Sequence, residues 1–349
     1  MKQVQCKELL KKLVEIPSVS GNEAKISSFL YEHLKENGLP AKQYKGNVYC
    51  SIGKGKQTLL FNSHLDTVPE CPGWSQDPFK PKEANGKIYG LGANDAKGSL
   101  TAMVDAFKKL AGSNDFNGKL FLAASTQEET DNIGIKQVVE KIPKVDAVVI
   151  GEPTNLSICT AMRGLAILKF VAKGKSGHAS RPSEGVNAIY KAFQDIEKLK
   201  ALSFEKEHPK LGKPTVTVTM INGGTKNNVI PGECEFTADV RSTPIYDNQK
   251  MIEAIKKVVS SELHILSQEL CPKETSESEK IVLAAKKASP GSNLIGFPAM
   301  CDWVFVDAPG IIIGPGITTQ SHAPNENIEI KQVEKASETY KKIAYEFFK

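Results

Sequence analysis

Apolar residues recur at helical spacing through the first 37 positions. Leu9, Leu10, Leu13 and Val14 form one stripe, and Ile26, Phe29, Leu30 and Leu34 form a second. Ile16-Pro17-Ser18-Val19-Ser20-Gly21 lies between them. Proline and glycine punctuate helices, so residues 4–37 read as two helices with a break at this stretch. The period then changes. Residues 58–62, 119–124 and 146–150 are short apolar runs, the length and composition of strands buried on both faces. A polar loop rich in proline and glycine is expected over 67–87, and a helix over about 98–110. Buried strands alternating with helices point to a largely parallel sheet with both faces covered.

The pattern changes again after residue 162. Residues 165–173 and 215–221 read as strands; 215–221 alternates polar and apolar as an antiparallel strand with one buried face should, and 233–240 alternates too. Helices are expected at 185–199 and 248–263. The β-α-β-β-α order suits a small α+β sandwich inserted into the first domain, which resumes near Thr275. The expected division is residues 1–162 with 275–349 for the larger domain and 163–274 for the insert. A chain of 349 residues is long enough for two cores.

Composition narrows the function classes. There are 45 basic and 40 acidic residues, a net charge of +5, and basic runs such as Lys11-Lys12 and Lys286-Lys287 are only pairs. Neither a nucleic-acid tract nor a polybasic membrane patch is present. The opening Met1-Lys2-Gln3-Val4-Gln5-Cys6-Lys7 has no apolar run, so no secretory leader is expected, and no stretch is apolar enough to suggest a membrane span. Seven scattered cysteines, an odd number without CxxC spacing, suit reduced thiols in a cytoplasmic protein.

The chemistry is concentrated where the strands end. His64 and Asp66 follow the first buried strand. Asp95 sits in Gly90-Leu91-Gly92-Ala93-Asn94-Asp95-Ala96-Lys97-Gly98, just before a helix. Glu128 and Glu129 follow the 119–124 strand, and Glu152 follows 146–150. Ligands of open α/β sheets collect beyond the carboxyl ends of the strands, so these side chains would converge on one cleft. Histidine nitrogen and carboxylate oxygen are zinc-type donors, and a carboxylate can bridge two ions. Taken singly, His64-x-Asp66 is an ordinary hydrogen-bonded pair, Glu128-Glu129 a solvated face, Asp95 a turn residue and His322 a loop histidine. In this order and at strand ends they form one candidate metal site. A non-metal hydrolase lacks its signature, since no Gly-x-Ser-x-Gly elbow occurs.

Seven motifs carry a resemblance across essentially the whole chain. They are Ser63-His64-Leu65-Asp66-Thr67-Val68-Pro69, the turn at 90–98, Gln127-Glu128-Glu129, Gly151-Glu152-Pro153-Thr154, Ser176-Gly177-His178-Ala179-Ser180, Asn228-Val229-Ile230-Pro231-Gly232 and Ser321-His322. In these the chain resembles the metal-dependent acylases and exopeptidases that include acetylornithine deacetylase, succinyl-diaminopimelate desuccinylase and glutamate carboxypeptidase. The resemblance implies a zinc-exopeptidase-like α/β catalytic domain with a mostly parallel mixed sheet. It also implies an inserted α+β lid and dimerisation domain, and hence a homodimer. It implies two divalent ions, zinc first and cobalt or manganese as alternatives. His64 and Glu152 would hold one ion, Glu129 and His322 the other, and Asp95 would bridge them. Glu128 would be the general base, Asp66 would orient His64, and the peptide after Asp95 would be cis.

The resemblance also assigns residues outside the ligand set. His178 would reach the partner subunit's site and stabilise the developing oxyanion. Asn228 and Arg241 would contact substrate, Arg241 by clamping a carboxylate; an ion pair with Asp239 is its alternative. Arg163 is a further substrate candidate or a hinge ion pair. Gly314, in Gly314-Pro315-Gly316, would shape the substrate pocket. Asp302 would either recognise a distal amine of the substrate or support the metal ligands. Leu91, Asn94, Ala96 and Gln127 depart from residues common in the family, and none of these departures removes a ligand. The turn and Cys301-Asp302-Trp303 look most like the compact deacylases of arginine biosynthesis. The implied substrate is a small N-acyl amino acid, N-acetylornithine first, then N-succinylornithine or N-succinyl-diaminopimelate, then a short peptide. A metal-free binding protein on the same fold is the contrasting class, and the intact ligand set argues against it.

Overall fold

The computed structural model describes residues 2–349, with side chains described from Cys6 onward. Met1, at the head of the segment read for a leader, lies outside them. Contacts divide the chain into two units. The larger runs to Thr160 and resumes over Glu274–Ile295 and Cys301–Lys349. The smaller comprises Ala161–Lys273 and the short segment Gly296–Met300, which the sequence had suggested belongs with the larger domain.

In the larger unit the helices Lys2–Glu15 and Ala24–Glu36 bury the two stripes that predicted them; Leu13, Val14, Ile26 and Leu30 are fully enclosed. The sheet is centred on the Thr58–His64 strand. It pairs in parallel with Lys119–Ser125 on one side and Ala147–Ile150 on the other, and Gly310–Ile312 continues in parallel beyond Ala147–Ile150. Every residue of Thr58–His64 and Ala147–Ile150 is buried, as strands covered on both faces require. Gly98–Ala111 is buried around most of its circumference and packs on the long C-terminal helix Ile330–Phe348. An all-round apolar helix can only be stable inside a core.

The sequence reading missed two hairpins. Lys42–Tyr44 with Asn47–Ile52 turns at Lys45-Gly46, and Lys82–Ala84 with Lys87–Tyr89 turns at Asn85-Gly86. Both turn residues have positive φ in each case, the geometry a two-residue hairpin needs. The second hairpin begins inside the expected loop at 67–87 and ends just beyond it at Tyr89; three-residue strands are too short to show a period. Asn327–Glu329 adds a strand to it, pairing with Lys87–Tyr89.

The smaller unit is an antiparallel sheet in the order Thr215–Gly223, Glu233–Ser242, Gly164–Lys173, Glu262–Leu270. Helices Ala188–Ala201 and Asn248–Val258 pack on this sheet. Cys234, Phe236, Ala238 and Val240 supply alternate buried positions to that core. The expected helix over 248–263 stops at Val258, and a fourth strand replaces its last residues. The stop has a visible cause. Asp195, buried on the neighbouring helix, accepts from the backbone N–H and the hydroxyl of both Ser260 and Ser261, which fixes a turn there.

Candidate metal centre

Four parallel strands aim their carboxyl ends at one place. His64 ends its strand with a side chain only 1% exposed. Its Nε2 lies 3.3 Å from Asp95 Oδ1 and 3.8 Å from Glu152 Oε1. Its Nδ1 faces Asp66, 3.0 Å from the backbone oxygen and 3.5 Å from Oδ1. A nitrogen fixed on the far side of the ring presents the other to the site. The Asp66 carboxylate, fully buried, does more than face His64. It accepts from the Ser20 hydroxyl at 2.7 Å and from the backbone N–H of Glu128 and of Glu129, each at 3.1 Å. One residue therefore sets both, the imidazole mainly through its backbone oxygen and the start of the glutamate pair through its carboxylate.

Asp95 leaves the glycine-rich turn with a cis peptide to Ala96. Gly92 is at φ +80°, and a Cβ there would lie 2.6 Å from Thr67 Cγ2, so the turn admits only glycine. Asn94, one of the departures from the family pattern, is a brace: Nδ2 donates to Ile317 O and Ser321 Oγ, while Oδ1 accepts from Ile317 N. His322 follows on that braced segment, at φ 59° and half-exposed. Its Nε2 is 3.0 Å from Glu129 Oε1 and 3.7 Å from Asp95 Oδ2. The two oxygens of Asp95 thus face different histidines, His64 with Glu152 on one side and His322 with Glu129 on the other.

The electrostatics describe a site short of positive charge. Burial raises the Glu128 carboxyl well above its ordinary range; His64 opposes this, and Glu152, Glu129 and Asp302 add to it. Glu152 is raised for the same reason, with Asp95, Glu129 and Asp302 as its repelling neighbours. His64 is shifted up although burial alone would lower it, because Asp66, Asp95 and Glu152 hold its proton. Asp95 is lowered: burial opposes ionisation, but the His64 hydrogen bond and charge, Ser321 and His322 outweigh it. Carboxylates crowded in a dry site, with imidazole as their main counter-charge, are the environment a divalent cation relieves. His64, Asp95 and Glu129 each offer an atom, all within 4.8 Å of one another, and nitrogen with carboxylate oxygen is a zinc-type donor set.

The other residues named from the sequence divide between the two units. Asp302 is buried; it accepts from Ser125 Oγ at 2.5 Å and Asn132 Nδ2 at 3.0 Å, so it supports the two ends of the loop carrying Glu128 and Glu129. Its carboxyl is pushed by burial up to about 6. Gly314 is packed: a Cβ would lie 2.4 Å from both Glu152 O and Ser99 Oγ. His178, Asn228, Arg163 and Arg241 belong to the smaller unit. His178 Nδ1 meets Ser180 Oγ at 2.8 Å, and Asn228 is exposed, its backbone oxygen accepting from Ala179. Arg241 makes a two-pronged pair with Asp239 at 2.8 and 3.0 Å, and Arg163 donates to the backbone oxygens of Leu211 and Lys213.

Sequence reasoning missed Glu326 and Lys97. Glu326 is 1% exposed and accepts from three backbone N–H groups of the Asp95 turn. Lys97 is fully buried, donates to Leu13 O and Ile16 O, and is lowered by burial to about 7. Lys97 and Glu326 look like surface residues in a sequence, since lysine and glutamate are almost never buried without partners.

Known proteins share this plan. The chain is similar to an acetylornithine deacetylase of Pectobacterium carotovorum, 28% identical over 97% of both chains. Its fold is similar to that of an M20-family metallo-carboxypeptidase from Sulfolobus solfataricus, at 23% identity and TM-score 0.81, covering 98% of this chain and 99% of that one. It is also similar to that of a dinuclear metal-binding M20 peptidase from Bacillus subtilis, at 17% identity and TM-score 0.75, covering 98% and 97%. The model of peptidase family M20/M25/M40 matches residues 60–346, a span that includes His64, Asp95, Glu128, Glu129, Glu152 and His322. This chain belongs to peptidase family M20/M25/M40, hydrolases of amide bonds.

Proposed function

We propose that this chain is a two-metal deacylase of N-acyl amino acids, with N-acetylornithine as its first substrate. The observation that carries the substrate is the full-length similarity to an acetylornithine deacetylase, on both chains to 97%. The donor set supports the metal requirement. His64 and Glu152 would hold one ion, His322 and Glu129 the other, and Asp95 would offer one oxygen to each. Zinc suits these donors, with cobalt or manganese as substitutes. When bound, the ions would supply Lewis acidity toward the amide carbonyl and lower the pKa of a water.

The protein's own groups do the rest. Glu128 takes a proton from the attacking water and returns it to the leaving nitrogen, so that the amine departs neutral. Burial raises its carboxyl above the ordinary carboxylate range, the direction that favours returning the proton it takes. Asp66 holds the His64 ring and the Glu128–Glu129 backbone still. His178 donates to the developing oxyanion, and Arg241, released from Asp239 when substrate arrives, clamps its carboxylate, with Asn228 and Arg163 as further contacts. A second copy of this chain is the proposed partner. The smaller unit exposes Tyr190 and Phe193 on the helix Ala188–Ala201 and Met220 and Ile221 on the edge strand Thr215–Gly223, at 56–68%, and exposed apolar residues and an open strand edge are surfaces that a second copy would cover. No helix of the described residues is long and apolar enough to cross a membrane. The proposed setting is the cytoplasm, because an odd number of scattered cysteines without CxxC spacing suits reduced thiols.

The test is release of amine from N-acetylornithine, N-succinylornithine, N-succinyl-diaminopimelate and a tripeptide, each with and without chelator. A kcat/KM highest for N-acetylornithine and abolished by chelator supports the reading. Chelator-resistant turnover would overturn the metal requirement, and a preference for the tripeptide would overturn the substrate.

A further inference from the structure

Glu326 links the segment that carries His322 to the turn that carries Asp95. Its Oε1 accepts from Asn94 N at 2.7 Å and from Asp95 N at 2.9 Å, and its Oε2 accepts from Gly92 N at 3.0 Å. Its own backbone oxygen accepts from Gly90 N at 3.0 Å. Four amides of one short turn are thereby satisfied by one residue, which lies four positions after His322 and is 1% exposed. Other bonds hold the turn through Leu91 N to Pro78 O, Lys97 N to Gly92 O and the Asn94 side chain, while Glu326 supplies those to the amides of Gly92, Asn94 and Asp95. Gly90 and Gly92 sit at φ +158° and +80°, and glycine is conformationally permissive, so the turn needs an outside anchor to keep one shape. The far side of the turn is filled by the Lys97 side chain, whose Nζ is spent on Leu13 O and Ile16 O. The hydrogen bonds to the carboxylate come from these amides, and the buried Lys97 charge acts on it through space.

We infer that Glu326 is a positioning residue: its carboxylate fixes the backbone from which Asp95 projects between the two histidines. The inference rests on the reading of Asp95 as the ligand shared by two ions. Glu326 has no direct role toward substrate. A carboxylate suits this place because both oxygens are acceptors and three donors point at them. Glutamine has nearly the same shape but turns an N–H₂ toward Gly92 N–H or toward the Asn94 and Asp95 pair, so at least one amide faces another donor. Aspartate keeps the charge but falls one methylene short.

The experiment measures Glu326→Gln and Glu326→Asp in the full chain. Hydrogen exchange on chelator-treated protein reads the amides of 90–95 without any metal. Zinc affinity is then read by chelator competition, and kcat and KM on the best substrate of the panel above. The expected result in both variants is faster exchange at Gly92, Asn94 and Asp95 with the Gly98–Ala111 helix still protected. Zinc affinity is expected to fall about 10- to 100-fold, the usual effect of losing a group that supports a ligand, and kcat to fall with KM within about twofold. Unchanged exchange at the three amides, or zinc affinity within about twofold of the parent, would overturn the inference. If Glu326→Gln does not fold, Glu326→Asp decides alone. A parent chain that binds no zinc would instead overturn the metal-centre reading, while its amide exchange still reports on the anchor.

Discussion

Asp195→Asn perturbs one buried carboxylate that has no part in the chemistry. Asp195 is 1% exposed and accepts from the N–H groups of Ser260 and Ser261 at 2.9 and 2.7 Å, from their hydroxyls at 3.1 and 2.7 Å, and from Lys198 Nζ at 3.0 Å. Burial alone would raise its pKa, but Ser261, Lys198 and the two amides prevail and bring it from 3.8 to about 2. A depressed carboxyl pKa means that the folded state prefers the charged form. Its stabilisation is present above the unfolded value and is lost as pH falls through the folded one. A shift of somewhat under two units corresponds to about 2 kcal/mol at neutral pH, and roughly half of that should remain at about pH 3. Asparagine imitates the protonated form, so the variant should be about 2 kcal/mol less stable near pH 7. With a urea m-value of roughly 1–3 kcal/mol per molar, the far-UV circular dichroism midpoint should move by about 1 M. The gap should hold to about pH 5 and narrow below it. Both tryptophans, Trp74 and Trp303, belong to the larger unit, so their fluorescence is the internal control. A gap under about 0.5 kcal/mol at neutral pH, below the expected effect of even one charge-assisted hydrogen bond, would refute the reasoning. So would a gap that stays constant toward pH 3.

Glu128→Gln should lower kcat by about 10²–10⁴ with zinc content unchanged, measured by steady-state kinetics and metal analysis; near-parental turnover sinks the base assignment. His178→Ala should lower kcat more than it raises KM, because an oxyanion contact acts mainly in the transition state; an unchanged kcat removes that role. Mixing His178→Ala with Glu128→Gln should restore part of the activity if the histidine serves the partner subunit, whereas two inactive proteins that stay inactive place it within its own chain. In the native protein only Cys71 and Cys271 should react quickly with an alkylating reagent, since the other five cysteines are buried and burial raises Cys50 and Cys159 to about 12. More than two fast thiols by intact mass would contradict that burial.

The sequence by itself showed the buried strands, most of the helices and the residues proposed as metal ligands. Apolar runs at 58–62, 119–124 and 146–150 could only be buried strands, and a chain that leaves a parallel strand must emerge at its carboxyl end. His64, Glu128, Glu129 and Glu152 were therefore legible as neighbours before any coordinates. Asp95 and His322 needed the ordered motifs, because a turn aspartate and a loop histidine carry no periodic signal. The fourth strand of the smaller unit was not legible. Helix and strand compete over 258–263, and the winner was set by Asp195, a residue more than 60 positions away. Beyond the expected contact of Asp66 with His64, only the tertiary structure showed what holds the candidate ligands. Asp66 grips the backbone of Glu128 and Glu129, Asn94 braces the approach to His322, and Glu326 anchors the Asp95 turn. These are bonds from side chains to distant backbone amides and carbonyls. Every residue has those backbone groups, so nothing in the sequence marks which of them a buried carboxylate will find.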